Sequence, residues 1–355
     1  MLFKRRQAIH FIFFSTIGLS FTSCTNSDQP VKESSEKKDN PISLYGAGAS
    51  FPAPLYLRWF AEYKKLYPHI QINYQPIGSA AGINQFISQT VDFGASDLAM
   101  TEAEIAQVPK DKGAILLPMT VGSIVLAYNL EGVAELRLSR EVYVDIFLGK
   151  ISKWNDPAIA KLNPNAKLPN AKIIVIFRAD GSGTTGIFTK HLSAISAEWK
   201  LKVGEGKSVR FPSGSGAKGN EGVTAQVLQT ANAISYVEYF YAKSSKLSTA
   251  SLENKVGKYI QATTQSVTSS INSIELAENL IGFAPDPTGD ESYPIASYTW
   301  LLAYTKYKNP EQAQALKSVL KWAIADGQKL SEKLGYVPLS ESVAKKVGEA
   351  IDKIS

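Results

Sequence analysis

Residues Phe177–Ile187 read FRADGSGTTGI, and within them lies Gly181-x-Gly183-x-x-Gly186. An apolar run, Lys172–Phe177 (KIIVIF), precedes the stretch, and Ile187–Ile195 follows with the composition of a helix. The spacing predicts strand, glycine turn and helix in that order, which is the local context of a dinucleotide-binding fingerprint. Such a turn brings backbone N–H groups and a helix N-terminus close to an anion. Two details resist the dinucleotide reading. That fingerprint wants an acidic residue about 20 positions on, at the end of a second strand, whereas Glu205, near that offset, sits in the turn-like VGEGKS. Arg178, immediately ahead of the turn, has no part in the fingerprint either. The stretch reads instead as a clamp for an inorganic anion.

The N-terminus argues the same way. Residues 1–23 combine a basic start (Lys4, Arg5, Arg6), an apolar run from Ala8 to Leu19 and small residues before Cys24. This is a secretory signal, too short and wrongly flanked for a lasting membrane span. Leu19–Cys24 (LSFTSC) has the form of a lipobox, with Phe21 where leucine is commoner, so Cys24 is expected to be lipidated as the first mature residue. It is the single cysteine of the chain, which allows no intramolecular disulfide. Residues 24–42 are polar and lack aromatics. They are expected to form a disordered tether with a reach of roughly 20–25 Å. An exported chain has no assured supply of nicotinamide cofactor. Of the formal charge of +6, the three basic residues of the signal account for half. No dense basic patch with interleaved aromatics appears, so nucleic acid is not an expected partner.

Beyond the tether, strand and helix patterns alternate, which predicts an α/β fold. Ile70–Tyr74 reads as a strand, and Tyr56, Trp59, Phe60, Tyr63 and Tyr67 recur at helical spacing as a core-facing set. Ala114–Pro118 and Ser123–Tyr128 read as two strands joined by a short crossing. Leu316, Val319, Leu320, Ala323 and Ile324 predict an amphipathic helix ended by Gly327, Ser213–Gly222 reads as a loop, and Asn254–Ser273 is polar and poorly patterned. The remaining ~310 residues exceed one typical core. Two α/β lobes are expected, 43–121 with 296–355 and 122–295, with more than one crossing and a ligand cleft between them.

Catalysis finds little support. The two histidines beyond the signal, His69 and His191, lie far apart and near no cysteine or carboxylate cluster. Both are expected at the surface, and neither a metal site nor a cofactor is expected. A G-x-S-x-G elbow and a Walker A loop are absent from the sequence. The scattered carboxylates leave a glycosidase pair open without pointing to one. Binding has a clearer signature. Gly46–Pro54 (GAGASFPAP), Ile77–Gly82 (IGSAAG), Phe93–Asp97 (FGASD) and Arg178–Thr185 (RADGSGTT) share glycine with serine or threonine and few bulky side chains. All but FGASD precede helix-like segments. Glycine permits close backbone approach, the hydroxyls donate, and the first amides of a helix point outward unpaired.

As a set, these motifs carry a specific resemblance. GAGASFPAPLY, IGSAAG, VDFGASD, FRADGSGT, AKGNEG (Ala217–Gly222) and AISYVEYFYA, in this order from Tyr45 to Ala242, resemble the substrate-binding protein of the bacterial high-affinity phosphate ABC transporter. LGKISKWNDPAIAKLNP (Leu148–Pro164) is similar to that family too, and Asn254–Tyr293 resembles it only loosely. The resemblance implies a two-lobe periplasmic-binding-protein fold of type II, with phosphate in the interlobe cleft and no catalysis. It implies contacts from the Ser50 hydroxyl and the Ser50–Phe51 amides, from Ser79, from Arg178 as the cationic contact, and from Ser182, Gly183 and Thr184. Asp97 would accept a hydrogen bond from the ligand's own proton, and Asp180 would orient Arg178. Ser50 stands where the family often has threonine, and Ala80 and Ala81 replace smaller or more polar residues. The implied partners are phosphate, the permease subunits with their ATPase, and a membrane through the lipid, for a monomeric protein. A binder of sulfate or molybdate and a secreted phosphatase are the alternatives. Asp97 argues against the first and the lack of metal ligands against the second.

Overall fold

A computed structural model of the chain describes residues 41–355. The expected signal, Cys24 and the tether up to residue 40 lie outside the described residues.

The chain opens with β1 (Ile42–Gly48), α1 (Ala53–Leu66), β2 (Ile70–Gln75), α2 (Ser79–Ile87), β3 (Phe93–Ser96) and the short α3 (Glu102–Ile105), then enters the long β4 (Ala114–Tyr128). Next come β5 (Arg137–Leu138), α4 (Arg140–Phe147), α5 (Pro157–Leu162), β6 (Ile174–Arg178), α6 (Gly183–Ile195) and α7 (Ala197–Lys202). These lead to β7 (Ser215–Ala217), α8 (Gly219–Gln229), β8 (Ala233–Glu238), α9 (Tyr239–Ser244), β9 (Ser248–Thr249), β10 (Ser251–Glu253), β11 (Tyr259–Ile260) and α10 (Thr264–Ile271). The chain then returns through β12 (Ala296–Tyr304), α11 (Pro310–Ala323), two 3-10 turns and α12 (Glu341–Ile351).

The main sheet has the order β2-β1-β3-β12-β4-β8-β6-β7, with β9 beside β4, and β5, β10 and β11 form a separate small sheet. β1 pairs parallel with both β2 and β3, and β6 pairs parallel with both β7 and β8. Between these parallel blocks run the antiparallel strands β12 and β4. Ala114–Ser123 of β4 pair with β12, whereas Ile124–Tyr128 pair with β8, so one strand belongs to both halves of the sheet.

β4 corrects the expectation of two strands with a crossing between them. Pro118 and Gly122 look like breakers in sequence, but each has a place within the strand. Pro118 stands at a register shift against Thr299/Trp300 of β12, a bulge where no ladder donor is needed. At Gly122 a Cβ would come within 2.5 Å of the Phe51 ring, so only glycine lets that ring pack on the strand.

α1 forms as its pattern predicts. Leu55, Tyr56, Trp59, Phe60 and Tyr63 are buried at helical spacing, each contributing roughly 1.5–3 kcal/mol, while Tyr67 caps the helix ahead of Pro68 and is exposed. The Trp59 indole N–H donates to Gly327 O at 2.7 Å. Gly327 therefore lies under Trp59 in a 3-10 turn, and α11 ends earlier, at Ala323. Ser213–Gly222, expected as a loop, contains β7 and the start of α8, and Asn254–Ser273 contains β11 and α10.

His191 also departs from expectation. It is buried on α6, with Nδ1 2.6 Å from Pro285 O and Nε2 2.8 Å from the Tyr143 hydroxyl. The carbonyl can only accept, so Nδ1 carries the proton and Nε2 accepts from Tyr143. Burial pushes its pKa down to about 4. His191 is a neutral core residue, while His69 is partly exposed.

Candidate functional site

β6 ends on Arg178, and α6 begins five residues later at Gly183. Ser182 caps α6 by accepting the Thr185 N–H at 3.0 Å, which leaves the first amides of the helix without intrahelical acceptors. The buried Arg178 guanidinium is held by Asp180: Nε donates to Oδ1 at 2.7 Å and Nη2 to Oδ2 at 2.5 Å. Its Nη1 donates to Thr184 Oγ1 at 3.3 Å. Three of the five guanidinium N–H groups are thereby occupied, and one on each terminal nitrogen is left for a further acceptor. Burial opposes ionisation of Asp180, but the Arg178 hydrogen bond and charge outweigh it and hold the carboxyl below the usual carboxylate range. Gly219 N–H, opening α8, donates to the same carboxylate at 3.0 Å.

Asp97 follows β3 directly and is buried. Thr299 of β12 donates to its Oδ1 at 2.8 Å, and the Ser79 hydroxyl lies 3.4 Å from Oδ2. The Asp97 N–H in turn donates to Ser79 Oγ at 3.3 Å. Burial pushes the Asp97 pKa up to about 7, against the pull of the Thr299 bond, the Arg178 charge and the Ser79 bond. Near neutrality, Asp97 stands between an acid and an acceptor-only carboxylate.

The turns from the two halves of the sheet meet at Gly183. A Cβ there would lie 2.4 Å from Ser79 Oγ and 2.6 Å from Asp97 Oδ2. A bare Cα is therefore what allows α6 to start against the Ser79–Asp97 pair. Nearby, Ala80 N–H donates to Gly181 O at 2.9 Å, and Lys207 of the second half pairs with Glu104 of the first at 2.6 Å. Ser50 joins the cluster through Asn220, whose backbone N–H and side-chain Nδ2 reach Ser50 Oγ at 3.2 and 2.9 Å. The carbonyls of Ser50 and Phe51 accept from Tyr241 OH at 2.6 Å and Tyr336 OH at 2.7 Å. Beneath them Glu238 is fully buried, and burial pushes its pKa well above its ordinary value.

Ser50, Phe51, Ser79, Asp97, Arg178, Ser182, Gly183 and Thr184 are all buried in this region, with Asp180 behind Arg178. Sequence reasoning missed Asn220, Thr299 and Glu238. Asn220 lay within the AKGNEG motif and could have been singled out there, whereas Thr299 sits in an apolar strand that offers no signal. Among the described residues no group of three or more His, Cys, Asp or Glu could hold a metal ion. The arrangement supplies many donors and one carboxylate acceptor to a small oxyanion, and it contains no activated nucleophile.

The family model for a PBP superfamily domain matches residues 29–327. Together with the mixed α/β topology and the buried donor cluster, this defines a chain of the periplasmic-binding-protein class. The phosphate-binding protein PstS of Pasteurella multocida is 43% identical over 310 residues, covering 86% of this chain and 88% of that protein. PstS of Haemophilus influenzae is 43% identical over 305 residues, covering 85% of this chain and 90% of that protein. A solved structure of a phosphate-binding protein from Stenotrophomonas maltophilia shares the fold, with a TM-score of 0.68 at 18% identity over 87% of this chain and 93% of that one. The chain belongs to the PstS family of phosphate-binding proteins.

Proposed function

We propose that the chain captures inorganic phosphate, as hydrogen phosphate, outside the cytoplasmic membrane and hands it to an ABC-type import permease powered by an ATPase. The observation that carries this reading is the imbalance of the site: hydroxyls, helix-opening amides and an anchored arginine gather around one acceptor, Asp97. In this reading Ser50, Phe51, Ser79, Arg178, Ser182, Gly183 and Thr184 donate to phosphate oxygens, and Asp97 accepts a hydrogen bond from the ligand's own proton. Asp180 keeps the guanidinium aimed. The two halves of the sheet are the lobes of a type II binding protein, 43–121 with 296–355 and 122–295. They close over the ligand by bending where β4 passes between them. A lipid on Cys24 holds the monomer to a membrane, and the closed face is what the permease meets. No bond of the ligand is broken. The names of the relatives support the phosphate assignment.

Calorimetric titration of the purified mature protein with phosphate, sulfate and arsenate tests the reading. Phosphate should bind and arsenate should compete, since it is protonated in the same way. Sulfate should be rejected increasingly as pH rises above neutrality, because a site built around a required hydrogen bond can discriminate by up to roughly 10⁴-fold. Equal binding of sulfate and phosphate at pH 8 would refute it.

A further inference from the structure

Asn220 has the geometry of a residue that decides what the site can read, although it stands behind the hydroxyls. Its amide orientation is fixed by a neighbour that has no choice of role: the backbone N–H of Glu238 donates to Asn220 Oδ1 at 3.0 Å. A backbone N–H cannot accept, so the carbonyl end of the amide must face β8 and the NH₂ end must face the opposite way. That NH₂ group lies 2.9 Å from Ser50 Oγ and 3.1 Å from Thr184 Oγ1, one hydroxyl for each of its two protons.

The hydroxyls are then fixed in turn. A hydroxyl has one proton and two acceptor lone pairs. Ser50 Oγ accepts from both the N–H and the Nδ2 of Asn220. Thr184 Oγ1 accepts from Asn220 Nδ2 and from Arg178 Nη1. Both lone pairs of both oxygens are used, and neither hydroxyl donates to a protein acceptor among the described residues. Ser50 comes from the first half of the sheet and Thr184 from the second, so one amide side chain sets the same polarity on both.

We infer that Asn220 is a positioning residue that locks the Ser50 and Thr184 hydroxyls as donors, so that the oxygens they meet must carry no proton. With Asp97 as the acceptor, the site then accommodates one ligand proton, and Asn220 excludes a second. The inference rests on the phosphate reading and adds to it the protonation state of the ligand: singly protonated phosphate is admitted and the doubly protonated ion is disfavoured. Replacing Asn220 with alanine leaves the backbone N–H on Ser50 Oγ and Arg178 Nη1 on Thr184 Oγ1 but frees one lone pair of each hydroxyl to accept, which removes that exclusion.

The test is the pH profile of phosphate affinity, measured by calorimetry for the parent, Asn220→Ala and Asn220→Leu, the last keeping the side-chain branching without its polar atoms. Thermal melting identifies which variants fold, and Asn220→Leu serves if Asn220→Ala does not. At pH 8.5 each variant should bind about tenfold more weakly than the parent, roughly the equivalent of one hydrogen bond. At pH 5.5, where the ligand carries its second proton, the deficit should shrink to about threefold or less. A deficit that stays constant from pH 8.5 to 5.5 means that Asn220 only shapes the cavity, and the inference falls while the phosphate reading stands. A parent that fails to bind phosphate at any pH removes the reading itself, and the inference with it.

Discussion

Replacing Asp97 with asparagine should make the ligand-free protein more stable, by an amount that grows from about pH 4 and is complete somewhat above pH 7. Burial raises the folded-state pKa of Asp97 from 3.8 to about 7. A carboxyl whose folded pKa lies above its unfolded value contributes stability that is fully present below the unfolded pKa and is lost as pH rises through the folded one. The window therefore runs from about pH 4 to somewhat above pH 7. Each tenfold change in acidity corresponds to about 1.4 kcal/mol, so ionising the buried group removes about 4 kcal/mol across that window. The Asp97→Asn variant stays neutral throughout. Its amide oxygen can still accept from Thr299 and its NH₂ can face Ser79 Oγ, so the local contacts survive. Unfolding entropy of ~2.1 cal/mol/K per residue over ~310 residues turns about 4 kcal/mol into about 6 °C of melting temperature.

The assay is calorimetric melting of parent and variant from pH 4.5 to 8.5, after unfolding and refolding to remove bound ligand. The curves should differ by only about 1–2 °C at pH 4.5 and by about 6 °C at pH 8.5, with the variant higher. Glu238, the other buried carboxyl near the site, has its pKa pushed up chiefly by burial and in smaller part by the Asp97 charge, so Asp97→Asn relieves it slightly and in the same direction. An offset independent of pH, or a parent that gains on the variant as pH rises, would refute the reasoning.

Other expectations follow from the same geometry. Arg178→Ala should weaken phosphate binding by roughly 10- to 150-fold, since charge-assisted hydrogen bonds contribute about 1.5–3 kcal/mol, against ~0.5–1.5 for Ser182→Ala or Ser50→Ala; equal losses in titration would remove Arg178 from direct contact. Gly183→Ala places a methyl 2.4 Å from Ser79 Oγ. Overpacking of about 1–3 kcal/mol should lower phosphate affinity by roughly 5- to 150-fold, whereas unchanged affinity would mean that the two turns do not meet in the bound state. Cys24→Ala in the native host should move the mature protein out of the membrane fraction, and continued retention there would exclude a lipid at that position.

Features whose cause is local in sequence were legible. The glycines, hydroxyls and arginine of the Phe177–Ile187 stretch act on one another within a few residues, so composition and spacing were enough to read its strand, glycine turn and capped helix. α1 was legible because its aromatic stripe is periodic. β4 was not, because Pro118 and Gly122 break strands unless a distant partner accommodates them, and those partners are β12 and the ring of Phe51. His191 was misplaced for a similar reason, since its partners Tyr143 and Pro285 lie 48 and 94 residues away. The polarity of the site was least legible. Asn220 acts on Ser50 across 170 residues and Thr299 on Asp97 across 202, and neither pairing leaves a pattern in the chain.

In the proposed reading the site is built around one proton shared with Asp97, so selectivity against sulfate should depend on pH in a way that this residue sets. Above pH 7 the ionised carboxylate can only accept. Hydrogen phosphate brings the proton it needs, whereas sulfate sets another acceptor against a buried charge. Below pH 7 Asp97 carries a proton of its own, its pKa having been raised to about 7 by burial, and it can then donate to an unprotonated oxygen. Sulfate binding must take up that proton, so its affinity should fall about tenfold per pH unit above neutrality and level off on the acid side. On this reading the buried charge that lowers the stability of the empty protein would also be the element that rejects sulfate. Asp97→Asn should abolish both effects together, since its amide can present an NH₂ to either anion at any pH. Competition titrations at pH 5.5, 7 and 8.5 on parent and variant decide it. A sulfate affinity independent of pH in the parent, or a phosphate–sulfate gap left unchanged in the variant, would place selectivity elsewhere in the cleft.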